Sequence, residues 1–217
     1  MCKELTLQKA DELIARYPQL HICRDSLLQA IKAMCQCYKV GGKVIVCGNG
    51  GSASDAEHIV GELMKGFKLP RKLRPEMCEQ LTEADPERGP VLAACLQQGL
   101  PAIALSSHQA LNTAFMNDVD GNLMFAQQLG VLGCPGDVFL AISTSGNSKN
   151  VFDACVMAKA KGMKIIALSG KTGGMLKNIA DLSLIMPGDE TYMIQELHLP
   201  VYHCLCLMLE EHFFGQS

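Results

Sequence analysis

A chain of 217 residues, 48% of them hydrophobic, can bury one full core and suits a single domain of ordinary size, or at most two small ones. Its formal net charge of −3 and pI near 6.1 offer no basic surface for nucleic acid. No run of about 18 apolar residues is present to span a membrane. The opening stretch MCKELTLQKADELIARY mixes charged and apolar residues, which argues against a secretory signal, so the expected setting is the cytoplasm.

A first helix is expected over residues 3–17, broken by Pro18, and a second begins near Asp25 or Ser26, either of which is a suitable cap. Leu27, Leu28, Ile31, Met34, Cys35 and Tyr38 form its apolar stripe, and Gly41-Gly42 stops it. Short apolar runs then alternate with loops and helical segments: KVIVC (43–47), PAIAL (101–105), DVFLAI (137–142), KIIAL (164–168) and DLSLIM (181–186). They are apolar almost throughout, as strands covered on both faces are. The fold class predicted is α/β, a three-layer sandwich with a five-stranded parallel sheet. Residues 68–99 hold four of the nine prolines and much charge, and are expected to be an excursion of short helices too small for its own core. A last helix over residues 191–213 is apolar nearly all round, so a subunit interface is expected on its second face. Pro200 leaves the Glu196 carbonyl without a donor and should kink that helix.

Eleven cysteines are an odd number, no C-x-x-C occurs, and only Cys35/Cys37 and Cys204/Cys206 lie close together. Reduced thiols filling a core are expected rather than a zinc–cysteine site. The stretch GNGGS (48–52) has Ala53 where a dinucleotide fingerprint needs its third glycine. In SGKTGG (169–174), Ile165 stands where a P-loop needs glycine, so no nucleotide cofactor is expected.

The loop STSGNS (143–148), straight after an expected strand, carries Ser143, Thr144, Ser145 and Ser148, with Gly146 allowing close backbone approach. A helix follows, whose free N–H groups and positive dipole end accommodate a phosphate. One capping residue would explain one serine; four hydroxyls beside GNGGS favour an anion. A sugar phosphate fits a chain with no tryptophan and no nucleotide motif. His58 and Glu62, at i and i+4, share a helix face that begins soon after GNGGS. Near Pro200 stand Gln195, Glu196, His198 and His203, and spacing alone does not choose among them.

Four separated motifs, GKVIVCGNGGSASDAEHIVGEL, DVFLAISTSGNSKNV, AKGMKIIALSGKTGG and IQELHLPVYH, resemble the phosphoheptose isomerases of the sugar isomerase (SIS) domain superfamily. The likeness covers residues 1–67 and 100–213 and implies a single SIS domain over 1–217, a homotetramer with sites at subunit interfaces, and isomerisation of sedoheptulose 7-phosphate to D-glycero-D-manno-heptose 7-phosphate. It assigns Glu62 and His203 as catalytic. Ser52, Ser143, Thr144, Ser145 and Ser148 correspond to substrate and phosphate contacts, Asn49, Gly50 and Asp118 to positions near the sugar, and Gln195 to a polar contact opposite it. Some members hold zinc with the equivalents of His58, Glu62, Gln195 and His203. Three features depart from the family: the length of 68–99, Gly66 where arginine is common (with Lys65 beside it as a substitute), and Tyr192-Met193 before IQE. The competing readings are an isomerase of another sugar phosphate and a non-catalytic adaptor resembling the DnaA initiator-associating protein.

Overall fold

The computed structural model describes residues 4–215. Helix α1 (Glu4–Arg16) leads through a 3-10 segment, Pro18–Cys23, into α2 (Arg24–Lys39). The N-cap of α2 is Cys23, which makes no side-chain cap; Asp25 lies inside the first turn, where its charge suits the helix dipole instead. Gly41, at φ +79°, turns the chain out of the helix. A Cβ on Gly42 would stand 2.9 Å from Cys37 Sγ and 3.0 Å from the Cys37 and Gly136 carbonyls, so a side chain there would force its neighbours to shift.

All five apolar runs form strands: β1 (Val44–Cys47), β2 (Ala102–Ala104), β3 (Val138–Ser143), β4 (Lys164–Gly170) and β5 (Leu182–Met186). They pair in parallel in the order β2-β1-β3-β4-β5. Side chains alternate between the two faces. Val44, Val46, Leu140, Ile142, Ile166 and Leu168 point into one core, shared with α2, with α3 (Gly51–Met64) and with the long helix near the C-terminus. Ile45, Cys47, Phe139, Ala141, Ile165 and Ala167 point into the other. The intervening segments hold α4 (Pro75–Ala84), α5 (Arg88–Cys95), α6 (Gln109–Phe115), α7 (Met124–Leu132), α8 (Lys149–Ala160), α9 (Leu176–Ile179) and α10 (Thr191–Phe214). Phe125 and Leu129 of α7 and Val151 and Cys155 of α8 cover the second face, completing three layers.

Helix α10 runs unbroken through Pro200. Its buried residues face several directions, and α1, α2 and α3 all pack on it. Neighbours within the chain therefore cover much of this helix, while Tyr192, Met193 and Leu199 stay exposed on it. The excursion is a helical hairpin: α4 buries no residue and α5 only Gly89, which presses on the Leu81 carbonyl. The root of the hairpin is tied down by a buried ion pair, Arg71 Nε to Glu210 Oε1 at 2.8 Å. Glu210 also accepts the backbone N–H groups of Phe67, Lys68 and Leu69 at 2.8–3.1 Å. Cysteines 47, 155, 204 and 206 are buried among apolar side chains, and no disulfide joins the described cysteines. Among the described residues no helix is long and apolar enough to cross a membrane.

Candidate active site

In the strand order 2-1-3-4-5 the connections leave β1 and β3 in opposite directions. The crevice between their carboxyl ends is where such sheets take ligands. GNGGS follows β1 there and STSGNS follows β3. Gly50 sits at φ +54° and ψ −121°, a conformation that an L side chain resists. Gly51 opens α3 under the amide of Gln195 from α10: a Cβ would lie 2.7 Å from Gln195 Nε2. Ser52 is buried in the first turn, and Asn49 joins the two loops. Its amide exchanges two hydrogen bonds with that of Asn150, at 2.9 and 2.8 Å. Asn150 was not foreseen; the second asparagine of NSKN was the only signal for it.

Ser148 stands at the N-cap of α8 but makes no cap bond. Its hydroxyl lies 2.9 Å from that of Ser143 at the end of β3, so this serine is turned into the loop rather than spent on the helix. Ser145 Oγ accepts the Asn147 N–H at 3.2 Å, and Asn147 Oδ1 accepts that of Met175 at 3.0 Å. Gly146, at φ +67°, lies against the Gly173 carbonyl, which any Cβ would strike. The lysine-threonine loop that failed as a nucleotide motif thus buttresses the serine loop, and Thr144 accepts the Gly170 N–H at 3.0 Å.

Helices α3 and α10 run side by side in the same direction, with Gln195 at Gly51, His203 at His58 and Glu210 at Phe67. Midway along them the acid–base candidates meet. His58 Nε2 is 3.3 Å from Glu62 Oε1 and 3.4 Å from His203 Nε2. Two imidazole nitrogens at that distance hydrogen-bond only if one carries a proton. Glu62 is buried, with Lys65 Nζ 3.5 Å from Oε2, so Lys65 places a cation beside the carboxylate. Arg71 donates to the carbonyls of Glu62 and Leu63 at 3.0 and 2.7 Å and holds the end of α3 in place. The Phe67 ring lies 5.3 Å from that of His203. Burial pushes the His203 pKa down, and the neighbouring His58 pushes it further. The charge of Glu62 opposes both. Tyr202 Oη is 3.0 Å from His58 Nδ1, a contact that spacing did not suggest.

Other expected site residues lie apart from this cluster. Gln195 sits at Gly51, seven residues and about 10 Å of helix rise from His58. Glu196 is exposed, so of that pair Gln195 faces the loops. Asp118 is exposed on a π-turn, Met116–Asp120, where it accepts from Asn117 Nδ2 at 2.9 Å. His58, Glu62 and His203 are donors of the kind zinc takes. Yet among the described residues no three His, Cys, Asp or Glu side chains are grouped to hold a metal, and Gln195 does not join them within one chain.

The sequence matches the SIS domain family over residues 10–94 and 88–170. With hydroxyls at the switch point of its sheet and a carboxylate–imidazole cluster along α3, the chain is a sugar-phosphate isomerase of the SIS class. It is 39% identical over 194 residues to a phosphoheptose isomerase of Helicobacter pylori (strain P12), covering 89% of this chain and 88% of that one. The phosphoheptose isomerase structure from Francisella tularensis superposes with a TM-score of 0.72 at 34% identity, covering 96% of this chain and 94% of its own. That from Neisseria gonorrhoeae gives 0.69 at 31%, covering 95% and 91%. The chain belongs to the phosphoheptose isomerase family.

Proposed function

We propose that the protein interconverts sedoheptulose 7-phosphate and D-glycero-D-manno-heptose 7-phosphate in the cytoplasm. Moving a carbonyl between C1 and C2 needs a base for a carbon-bound proton and an acid for the oxygens. The observation that carries the reading is the buried Glu62 carboxylate 3.3 Å from His58, which His203 also touches. Glu62 removes the proton, an enediol forms, and His203 serves the oxygens. The serine loop holds the phosphate away from the reacting carbons and orients the chain. Glu62 lies eleven residues, about 16 Å of rise, along α3 from Gly51. We place the loops of one subunit with the proton-transfer groups of another, in a homotetramer.

Zinc is proposed as well: His58, Glu62, His203 and Gln195 are the side chains that would hold it, and since they are not grouped for a metal within one chain, binding would have to draw them together; bound, it would polarise the substrate carbonyl. Elemental analysis of protein purified without chelator checks this, and full turnover by metal-free enzyme would count against it. The reaction itself is tested by proton NMR in D₂O with sedoheptulose 7-phosphate, then with ribulose and fructose phosphates. Deuterium should enter C2 of the aldose product, and Glu62→Gln should lower the rate by about 10²–10⁴. Near-normal turnover in that variant would remove Glu62 from the reaction. Faster conversion of a shorter sugar would reassign the substrate.

A further inference from the structure

Ser148 stands at the N-cap of α8 with ψ 117°, the extended conformation from which a serine hydroxyl ordinarily accepts an N–H of the first turn. It makes no such bond, and its Oγ lies 2.9 Å from Ser143 Oγ instead. Val151, the third residue of the helix, is fully buried, so its N–H is costly to leave without an acceptor. The acceptor is Asn150 Oδ1, at 3.0 Å. Asn49, in the loop after β1, holds that side chain from across the crevice. Asn49 Nδ2 donates to Asn150 Oδ1 at 2.9 Å, and Asn150 Nδ2 donates to Asn49 Oδ1 at 2.8 Å.

A backbone N–H donates only to the amide oxygen, so Asn150 has one workable orientation, and this sets that of Asn49 as well. The cap that α8 needs is thus supplied from inside its own first turn. The N–H groups of Lys149 and Asn150, which have no carbonyl of their own helix to meet, stay beside the serine loop. We propose that Asn150 is a positioning residue for the phosphate cradle: it caps α8 in place of Ser148 and so frees that hydroxyl for the substrate phosphate. Without the Asn150 amide, Ser148, already at the N-cap, takes over the Val151 N–H and turns its hydroxyl away from Ser143. The consequence for substrate rests on the isomerase reading above; the exchange of caps does not.

Urea unfolding of the full-length protein in phosphate-free buffer, at one protein concentration, tests the exchange of caps. Every protein in this series carries Ser143→Ala, so that the bond between the two hydroxyls drops out. Adding Ser148→Ala should then leave the midpoint unchanged, because this serine caps nothing. In an Asn150→Ala background the same change should lower it by about 0.5 M, the size of a lost cap. With Asn150→Asp, which keeps an oxygen for Val151, it should again cost nothing. Equal loss in all three backgrounds, or no loss in any, overturns the proposal. The second arm keeps Ser143 and uses sedoheptulose 7-phosphate. Asn150→Ala should raise KM about 10–100-fold with kcat nearly unchanged, as the loss of one hydrogen bond to a charged group does. Adding Ser148→Ala should raise KM no further. An unmoved KM in Asn150→Ala, or a second rise of similar size in the double variant, overturns the release of the serine to substrate. Wild type that turns over no sugar phosphate would instead refute the isomerase reading, and the urea series then decides the exchange of caps by itself.

Discussion

His198 sits with 0% exposure on α10, its Nε2 at 3.4 Å from the Ser169 carbonyl and its Nδ1 buried without a partner. Burial holds its pKa down to about 4, against the raising effect of that carbonyl. The unfolded chain takes up this proton near pH 6.5, well before the folded chain does. The histidine's contribution to stability is therefore full above about pH 6.5 and is lost as pH falls toward 4. Between pH 7 and about pH 4.5 the loss should be about 2 kcal/mol, and His203 is shifted in the same direction. Urea unfolding of wild type and His198→Gln at both pH values measures it; equal pH dependence would show that this site does not matter. At this scale the sequence was only half legible. It named His198 and His203, but the kind of role each plays depends on burial and on a partner from another element. Tyr202 and Asn150 were missed for the same reason, since spacing along one helix says nothing of what reaches it from a second. Ser148 shows the converse: composition suggested both a cap and a ligand contact, and only the direction of its hydroxyl separates them.

At the level of elements, the parallel contact of α3 with α10 is what assembles the cluster. Arg71 secures one end of that contact by donating to two α3 carbonyls and to Glu210 of α10. Arg71→Met should cost about 3 kcal/mol, because the buried partner loses its cation. Glu210→Ala should cost more, since it strands the guanidinium and three backbone N–H groups together. The order of the two urea midpoints is the check, and a milder Glu210→Ala would mean that water replaces the carboxylate. The strands were readable because a run apolar on both faces has few other solutions. The hairpin of residues 68–99 was readable as short helices from its prolines and charge. Its anchor was not: either arginine of KLPRKLRPE looks like any solvated charge, and only the acidic residue opposite Arg71, some 140 positions later in the chain, makes that one buried.

For the whole molecule, the sheet order gathers the hydroxyl loops at one end of β1 and β3, while α3 carries Glu62 three turns away from them. On the proposed function, a single chain thus presents its phosphate cradle and its proton-transfer cluster as two patches. An assembly that sets the cradle of one subunit against the cluster of the next would complete each site, and a two-fold interface would form two of them. The proposed tetramer makes a specific demand on mixed enzymes. Glu62→Gln lacks the base but keeps the loops, and a Ser143→Ala/Ser148→Ala variant lacks the hydroxyls but keeps the base. Each should be inactive alone. Unfolded together and refolded, the two should regain activity, because some interfaces then pair an intact cradle with an intact cluster. If the two groups serve one site within a chain, every site in the mixture carries one lesion and no activity returns. A mixture that forms tetramers by light scattering yet stays silent would confine the site to one subunit and require the substrate to lie along α3.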